Sequence, residues 1–182
     1  MADRSFLDWP FFDDSHRRLA EELESWCQAE LSDVHGSDID AECRTLVRKL
    51  GSDGWLRYCV PAAYGGVHEA LDVRSLALIR ETLARYSGLA DFAFAMQGLG
   101  SGTISLFGTE EQKQKYLTPL AHGESFGAWG LTEAGAGSDA AVARPRRHSV
   151  SIAVAESLGR RSRDGARNPD SERRDPQPDP RR

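Results

Sequence analysis

Between Leu89 and Phe107 the chain runs almost without charge. Asp91 is the only ionisable side chain in a stretch rich in Ala, Gly and Leu and marked by Phe92, Phe94 and Met96. A helix apolar on nearly all sides has to be covered on all sides, so the rest of the chain is expected to wrap it. Ala93, Ala95, Gly98, Gly100 and Gly102 leave room for neighbouring backbones to come close. Phe92, Phe94 and Met96 are read first as core and second as the wall of a pocket.

The flanking sequence supplies the wrapping. From about Ser15 to Leu31, Leu19, Leu23, Trp26 and Leu31 fall close to a 3.6-residue period with charges opposite, which predicts an amphipathic helix. A second is predicted over Ile39 to Leu50, with Ile39, Cys43, Leu46 and Leu50 on one face and Gly51 as its stop. A third covers Asp72 to Tyr86, with Asp72 as N-cap and Leu76, Ile79, Leu83 and Tyr86 facing inward. Thr109 to Gln112, T-E-E-Q, is a capping box that opens a further helix, expected to end near Pro119. His16 and His35 are read as solvated or capping residues near the ends of the first helix, and Pro61 to Gly66 as a turn. Four or five helices ahead of a strand predict an all-α fold, a helical bundle that abuts a β element.

Charge divides the chain in two. Residues 1–140 carry 22 acidic and 12 basic side chains, whereas residues 141–182 carry 6 acidic and 11 basic ones, all of the latter arginine. Residues 142–182, Arg/Pro-rich, without aromatics and without helical or strand periodicity beyond Val150–Val154, offer too little apolar surface to offset chain entropy and are expected to be disordered. The arginines lack aromatic interleaving or a regular basic face, so no nucleic-acid partner is assigned. Cys27, Cys43 and Cys59 are odd in number and form no C-x-x-C pair, which argues for reduced thiols in a cytoplasmic protein. The histidines form no H-E-x-x-H pair, so no metal is expected. Neither a signal peptide nor a membrane span is visible.

The stretch from Phe126 to Asp139, F-G-A-W-G-L-T-E-A-G-A-G-S-D, carries the chemistry. Phe126 to Leu131 reads as a short buried strand. Gly135, Gly137 and Ser138 then form a tight polar turn, whose successive N–H groups can make a nest for a phosphate beside a serine hydroxyl. Thr132 sits at the junction, where a hydroxyl reaches a heterocycle lying along the strand. Gly135 to Ala140 also fits G-x-G-x-x-A. A dinucleotide fold needs a long helix immediately afterwards, which Pro145 and the preceding helices argue against.

The run L-T-E-A-G-A-G-S-D at Leu131–Asp139 resembles the flavin-binding signature of the acyl-CoA dehydrogenases, with Ala134 in place of the common proline. F-G-T-E-E-Q-K-Q-K-Y-L-T-P-L-A-H-G-E at Phe107–Glu124 and G-W-L-R-Y-C-V-P-A-A-Y-G-G at Gly54–Gly66 resemble two further segments of that family, in the family's order. The resemblance covers roughly Ser15 to Ala140. It implies residues 1–124 as the N-terminal helical domain, 125–141 as the first strand and flavin loop of an incomplete middle domain, and 142–182 as the tail.

The implied activity is FAD-dependent α,β-dehydrogenation of acyl-CoA thioesters, in fatty acid metabolism. By the same resemblance Trp129, Leu131 and Thr132 line the flavin ring. Gly135, Gly137 and Ser138 sit by the pyrophosphate, with Ser138 also near the bound acyl-CoA. A homo-oligomer is allowed. The small residues of the 89–107 helix would admit a slender acyl chain. The family's catalytic glutamate lies beyond the part that resembles it, and Glu133 is not assigned that role. No catalytic residue is therefore named, and the chain is expected to be truncated and inactive. The alternative is a non-enzymatic helical interaction module or a gene remnant.

Overall fold

A computed structural model of the chain describes residues 3–31, 38–130 and 151–156. Five α-helices dominate it, as expected: α1 (Asp14–Glu30), α2 (Ile39–Ser52), α3 (Val73–Tyr86), α4 (Gly88–Phe107) and α5 (Glu110–Ala121). They are followed by strand β1 (Ser125–Gly130), and a second strand, β2, spans Ser151–Glu156.

The helix starts are set by local chemistry. Asp13 caps α1, accepting from the Ser15 and His16 N–H groups, and Asp72 caps α3 by accepting from Arg74 N–H. Ser87 caps α4 and Thr109 caps α5, the latter in the T-x-x-Q capping box legible in the sequence. Each cap satisfies a backbone donor that the first helical turn leaves open. The end of α5 differs from expectation, because Pro119 lies inside the helix and α5 continues to Ala121. Leu120 and Ala121 are buried completely there, and their burial offsets the donor that proline removes.

Helix α4 is the centre. It packs against α2, α3, α5 and β1, while α1 packs on α3. The core joins Leu19, Leu23 and Cys27 of α1, Leu46 and Leu50 of α2, Ile79 and Leu83 of α3, Phe94 and Ile104 of α4, and Leu117 and Leu120 of α5. Two short 3-10 turns, Trp55–Cys59 and Ala62–Tyr64, carry the chain from α2 towards α3 and add Leu56, Cys59 and Val60 to the core. Here the predicted Pro61–Gly66 turn is found, anchored to α5 by Tyr64, whose hydroxyl donates to Glu110 at 2.7 Å.

The expectation that α4 is covered all round needs correction. Phe94 is 1% exposed, but Phe92 is 54% exposed, Leu99 46%, Leu106 67% and Phe107 82%. Phe92 therefore leaves the predicted core. Burying α4 on every side would take a layer of structure that the described residues do not provide.

The 142–182 region is corrected over six residues. Ser151–Glu156 pairs antiparallel with β1, placing Ser125 opposite Glu156, Gly127 opposite Val154 and Gly130 opposite Ser151. Ile152 and Val154 are β-branched residues in alternation, and such a run becomes a strand when a partner edge is available. Periodicity within the segment alone could not reveal that partner.

Candidate functional site

The site is built where β1 leaves the helical body. A tight turn precedes the strand: Gly123 has φ +70°, and a Cβ there would lie 2.6 Å from the Val47 carbonyl oxygen. Only glycine combines that backbone with that approach. The turn sets β1 down on α4. There the Gly127 N–H donates to Gln97 Oε1 at 2.7 Å, and Gln97 Nε2 donates to the Ala93 carbonyl at 3.3 Å. Gln97 is 2% exposed, and its amide is satisfied at both ends, as a buried polar group requires. Next to it a Cβ on Gly100 would stand 3.1 Å from Gly127 Cα, so helix and strand meet glycine to glycine. One turn further on, the Ser101 hydroxyl donates to the Cys59 carbonyl at 2.7 Å and fixes α4 to the preceding 3-10 turn.

Of the predicted site residues, Trp129 lies in β1, opposite Ile152. Leu131, Thr132, Gly135, Gly137 and Ser138 lie outside the described residues, as does His35. The described chain thus ends its first strand at Gly130, one residue before the L-T-E-A-G-A-G-S-D run. Gln97 was not singled out in the sequence; its one signal is an amide amid Ala, Gly and Met.

His16 was underestimated too. A capping role is correct, but a solvated one is not, since the ring is 2% exposed. Nδ1 lies 2.9 Å from Asp13 Oδ1 and 3.3 Å from the Asp13 backbone nitrogen, and Nε2 lies 2.8 Å from Asp72 Oδ2. When unprotonated, Nδ1 accepts from the backbone N–H; when protonated, it donates to the carboxylate. Either way the ring ties the N-terminus of α1 to that of α3. Burial pushes the Asp72 carboxyl up, but hydrogen bonds from His16, Ser75 and Arg74 outweigh it and hold it well below its usual range.

Several other ionisable groups of the described body serve structure. Glu24 accepts from the Tyr86 hydroxyl and pairs with Arg85 at 2.8 Å. Asp91 is held in two-point fashion by Arg80 at 2.8 and 2.9 Å, and Glu110 pairs with Lys113. Burial raises the Cys27 and Cys59 thiols to about 12, so neither is a thiolate nucleophile near neutral pH. Among the described residues there is no cluster of metal-ligating side chains, and no helix is long and apolar enough to cross a membrane.

The outer face of α4 carries a second feature, an exposed apolar stripe. Phe92, Leu99 and Leu106 recur at i, i+7 and i+14, which places them on one stripe about 21 Å long. Ala95 and Gly102 lie close to that stripe and leave it shallow.

Known proteins resemble this chain over its helical body. Residues 13–124 match the model of the acyl-CoA dehydrogenase N-terminal domain. A probable acyl-CoA dehydrogenase of Bacillus subtilis is 39% identical over 137 residues, which are 73% of this chain and 23% of that protein. A 3-(aryl)acrylate reductase of Clostridium sporogenes is 34% identical over 71% of this chain and 35% of its own length. The crystal structure of an acyl-CoA dehydrogenase complexed with FAD, from Bacillus anthracis, superposes with a TM-score of 0.60 at 38% identity, covering 75% of this chain and 26% of that one. The chain therefore spans about a quarter to a third of the length of these relatives. With its helical bundle, its capping box and the strand ahead of the glycine-rich run, this chain belongs to the acyl-CoA dehydrogenase family.

Proposed function

We propose that this chain forms the N-terminal helical part of an FAD-dependent acyl-CoA dehydrogenase together with the strand that opens its flavin site. One observation carries the reading: the helical body matched over residues 13–124 runs directly into β1, which is docked on α4 and ends one residue before the glycine-rich run. The donor set beyond β1 suits the cofactor. Thr132 offers a hydroxyl for a ring carbonyl, while Ser138 and the amides of Gly135 and Gly137 offer donors for phosphate. When bound, FAD supplies the hydride acceptor. The chain's own contribution is to hold the strand, to present donors along it and to line one side of an apolar channel. The exposed stripe of Phe92, Leu99 and Leu106 supports that last role, since it fits the wall of an acyl-chain pocket.

The residues present do not complete the reaction in this reading. Removing an α proton needs a carboxylate within hydrogen-bond reach of it. Among the carboxylates of the described body, those of Glu24, Asp72, Asp91 and Glu110 are already committed to structural partners. The expected result is that the 182-residue chain binds FAD weakly and does not bleach it when mixed anaerobically with acyl-CoAs of several lengths. Stoichiometric flavin retained through gel filtration would overturn the weak-binding part. Substrate-dependent bleaching of the oxidised flavin band would overturn the other, and its loss in Glu133→Gln would identify the base. A second reading, a non-enzymatic helical module, draws on the same exposed stripe; a chain that binds no flavin at any concentration would favour it.

A further inference from the structure

We propose that Gln97 is the positioning residue that fixes the register of β1 on α4, and through it the point at which the chain enters the glycine-rich run. The inference rests on the flavin reading above for the run's purpose, but its geometric basis is independent of it.

The argument begins with the edge of a strand. An antiparallel strand sends its N–H groups alternately towards each neighbour. β2 takes one edge of β1, and α4 covers the region where Gly127 N–H points away from a strand partner. A helix has no backbone acceptor free to offer there, because its own ladder uses them. Gln97 Oε1 supplies the acceptor at 2.7 Å, and the other end of the amide is pinned by the Ala93 carbonyl, so the side chain cannot follow a sliding strand.

A second observation points the same way. A Cβ on residue 127 would stand 3.3 Å from the Met96 carbonyl oxygen and 3.5 Å from Gln97 Oε1, and one on Gly100 would stand 3.1 Å from Gly127 Cα. The residues on either side of Gly127 are Phe126 and Ala128, and both carry a Cβ. A slip of one residue would therefore bring the Cβ of Phe126 or Ala128 against the Met96 carbonyl and the Gln97 amide. It would also move the start of the glycine-rich run about 3.4 Å along the strand. Hydroxyl and amide donors that must meet a rigid ring and a pyrophosphate at hydrogen-bond distance tolerate no such shift.

The test uses the full ¹⁵N-labelled chain and amide hydrogen exchange. In Gln97→Leu, which keeps the volume and removes the amide, Gly127 should exchange about tenfold or more faster, the consequence of losing one buried hydrogen bond. The amides of α3 and α5 should keep their protection. Gln97→Glu retains an acceptor and should restore slow exchange at Gly127. Gly100→Ala leaves Gln97 in place but pushes on Gly127 Cα, and it should accelerate the same β1 amides. Unchanged protection of Gly127 in Gln97→Leu would overturn the proposal. So would loosening spread equally over α3, α4 and α5, which would make Gln97 mere core filling.

A parallel titration with FAD separates the two readings. If the wild-type chain binds FAD, Gln97→Leu should weaken binding about tenfold and shift the bound flavin spectrum. Equal affinity and an equal spectrum would overturn the claim about the glycine-rich run. If the wild type binds no FAD, the functional reading fails while the exchange data still decide the register.

Discussion

The two faces of α4 both carry large apolar side chains and do opposite things. The inner face carries Ala93, Phe94, Gln97, Gly100, Ser101 and Ile104, all buried. The outer face carries Phe92, Leu99 and Leu106, all exposed. Phe92 and Phe94 are two residues apart, and nothing in their chemistry separates them. Two positions along an α-helix are about 200° apart, so one ring enters the core when the other must leave it. What distinguishes the faces is the inner side's mixture of small and polar residues. Gly100 admits the strand, while Gln97 and Ser101 bond to it and to the Cys59 carbonyl. The lesson is that an apolar surface alone does not mark a helix's core side. Close approach and satisfied polar atoms do.

This contrast is sharpest at the two phenylalanines. Phe94→Ala empties a fully enclosed position and should cost about 3–5 kcal/mol of stability, read from the urea midpoint. A loss below about 1 kcal/mol would mean that the inner face is not the packed one.

A buried seam held by charge gives a second comparison, with the neutral α4–β1 seam. Asp72→Asn preserves an N-cap for α3 but removes the charge facing His16, Arg74 and Ser75. It should cost about 1–3 kcal/mol near neutral pH. The sign of the pH dependence follows from the depressed carboxyl of Asp72. A carboxyl lowered by folding contributes stability that is full above its unfolded value, about 4, and lost as pH falls below it towards the folded value. The wild-type advantage over Asp72→Asn should thus shrink in urea titrations carried from pH 7 down to pH 3. The advantage over Gln97→Leu should stay level, since neither an amide nor a leucine titrates. A constant gap for Asp72→Asn would remove charge from the account of the α1–α3 seam.

The smallest effect belongs to the outer face. Phe92→Ser and Leu106→Ser, singly, should change stability by no more than about 0.5 kcal/mol. They should nevertheless lower the binding of an apolar dye to the native chain, since the stripe is what such a dye would meet. A large loss of stability in either variant would show that the stripe is already covered, and the comparison of the two faces would fail.

Much of the helical body was legible because its signals are local. Asp72, Thr109 and the periodic leucines act through neighbours three or four residues away, so reading the chain in order finds them. The strand ahead of the glycine-rich run was legible for the same reason, as the apolar residues from Phe126 to Gly130 are adjacent. His16 was misjudged as solvated because its second partner, Asp72, is 56 residues distant. Gln97 was passed over because its partner is a backbone amide in another element, which no residue type announces. β2 was missed because a short β-branched run becomes a strand only when an edge is offered to it.

By itself, then, the sequence determined which segments are helical, where they begin, and that a strand follows them. Those outcomes depend on torsional preference, capping and periodicity, all settled within one or two turns of chain. The tertiary structure alone decided which face of α4 is core, what closes the edge of β1, and that His16 bridges two helices. Each of these depends on the distance between residues far apart in the chain. Only packing sets that distance, because a side chain's environment comes from whatever the fold brings against it.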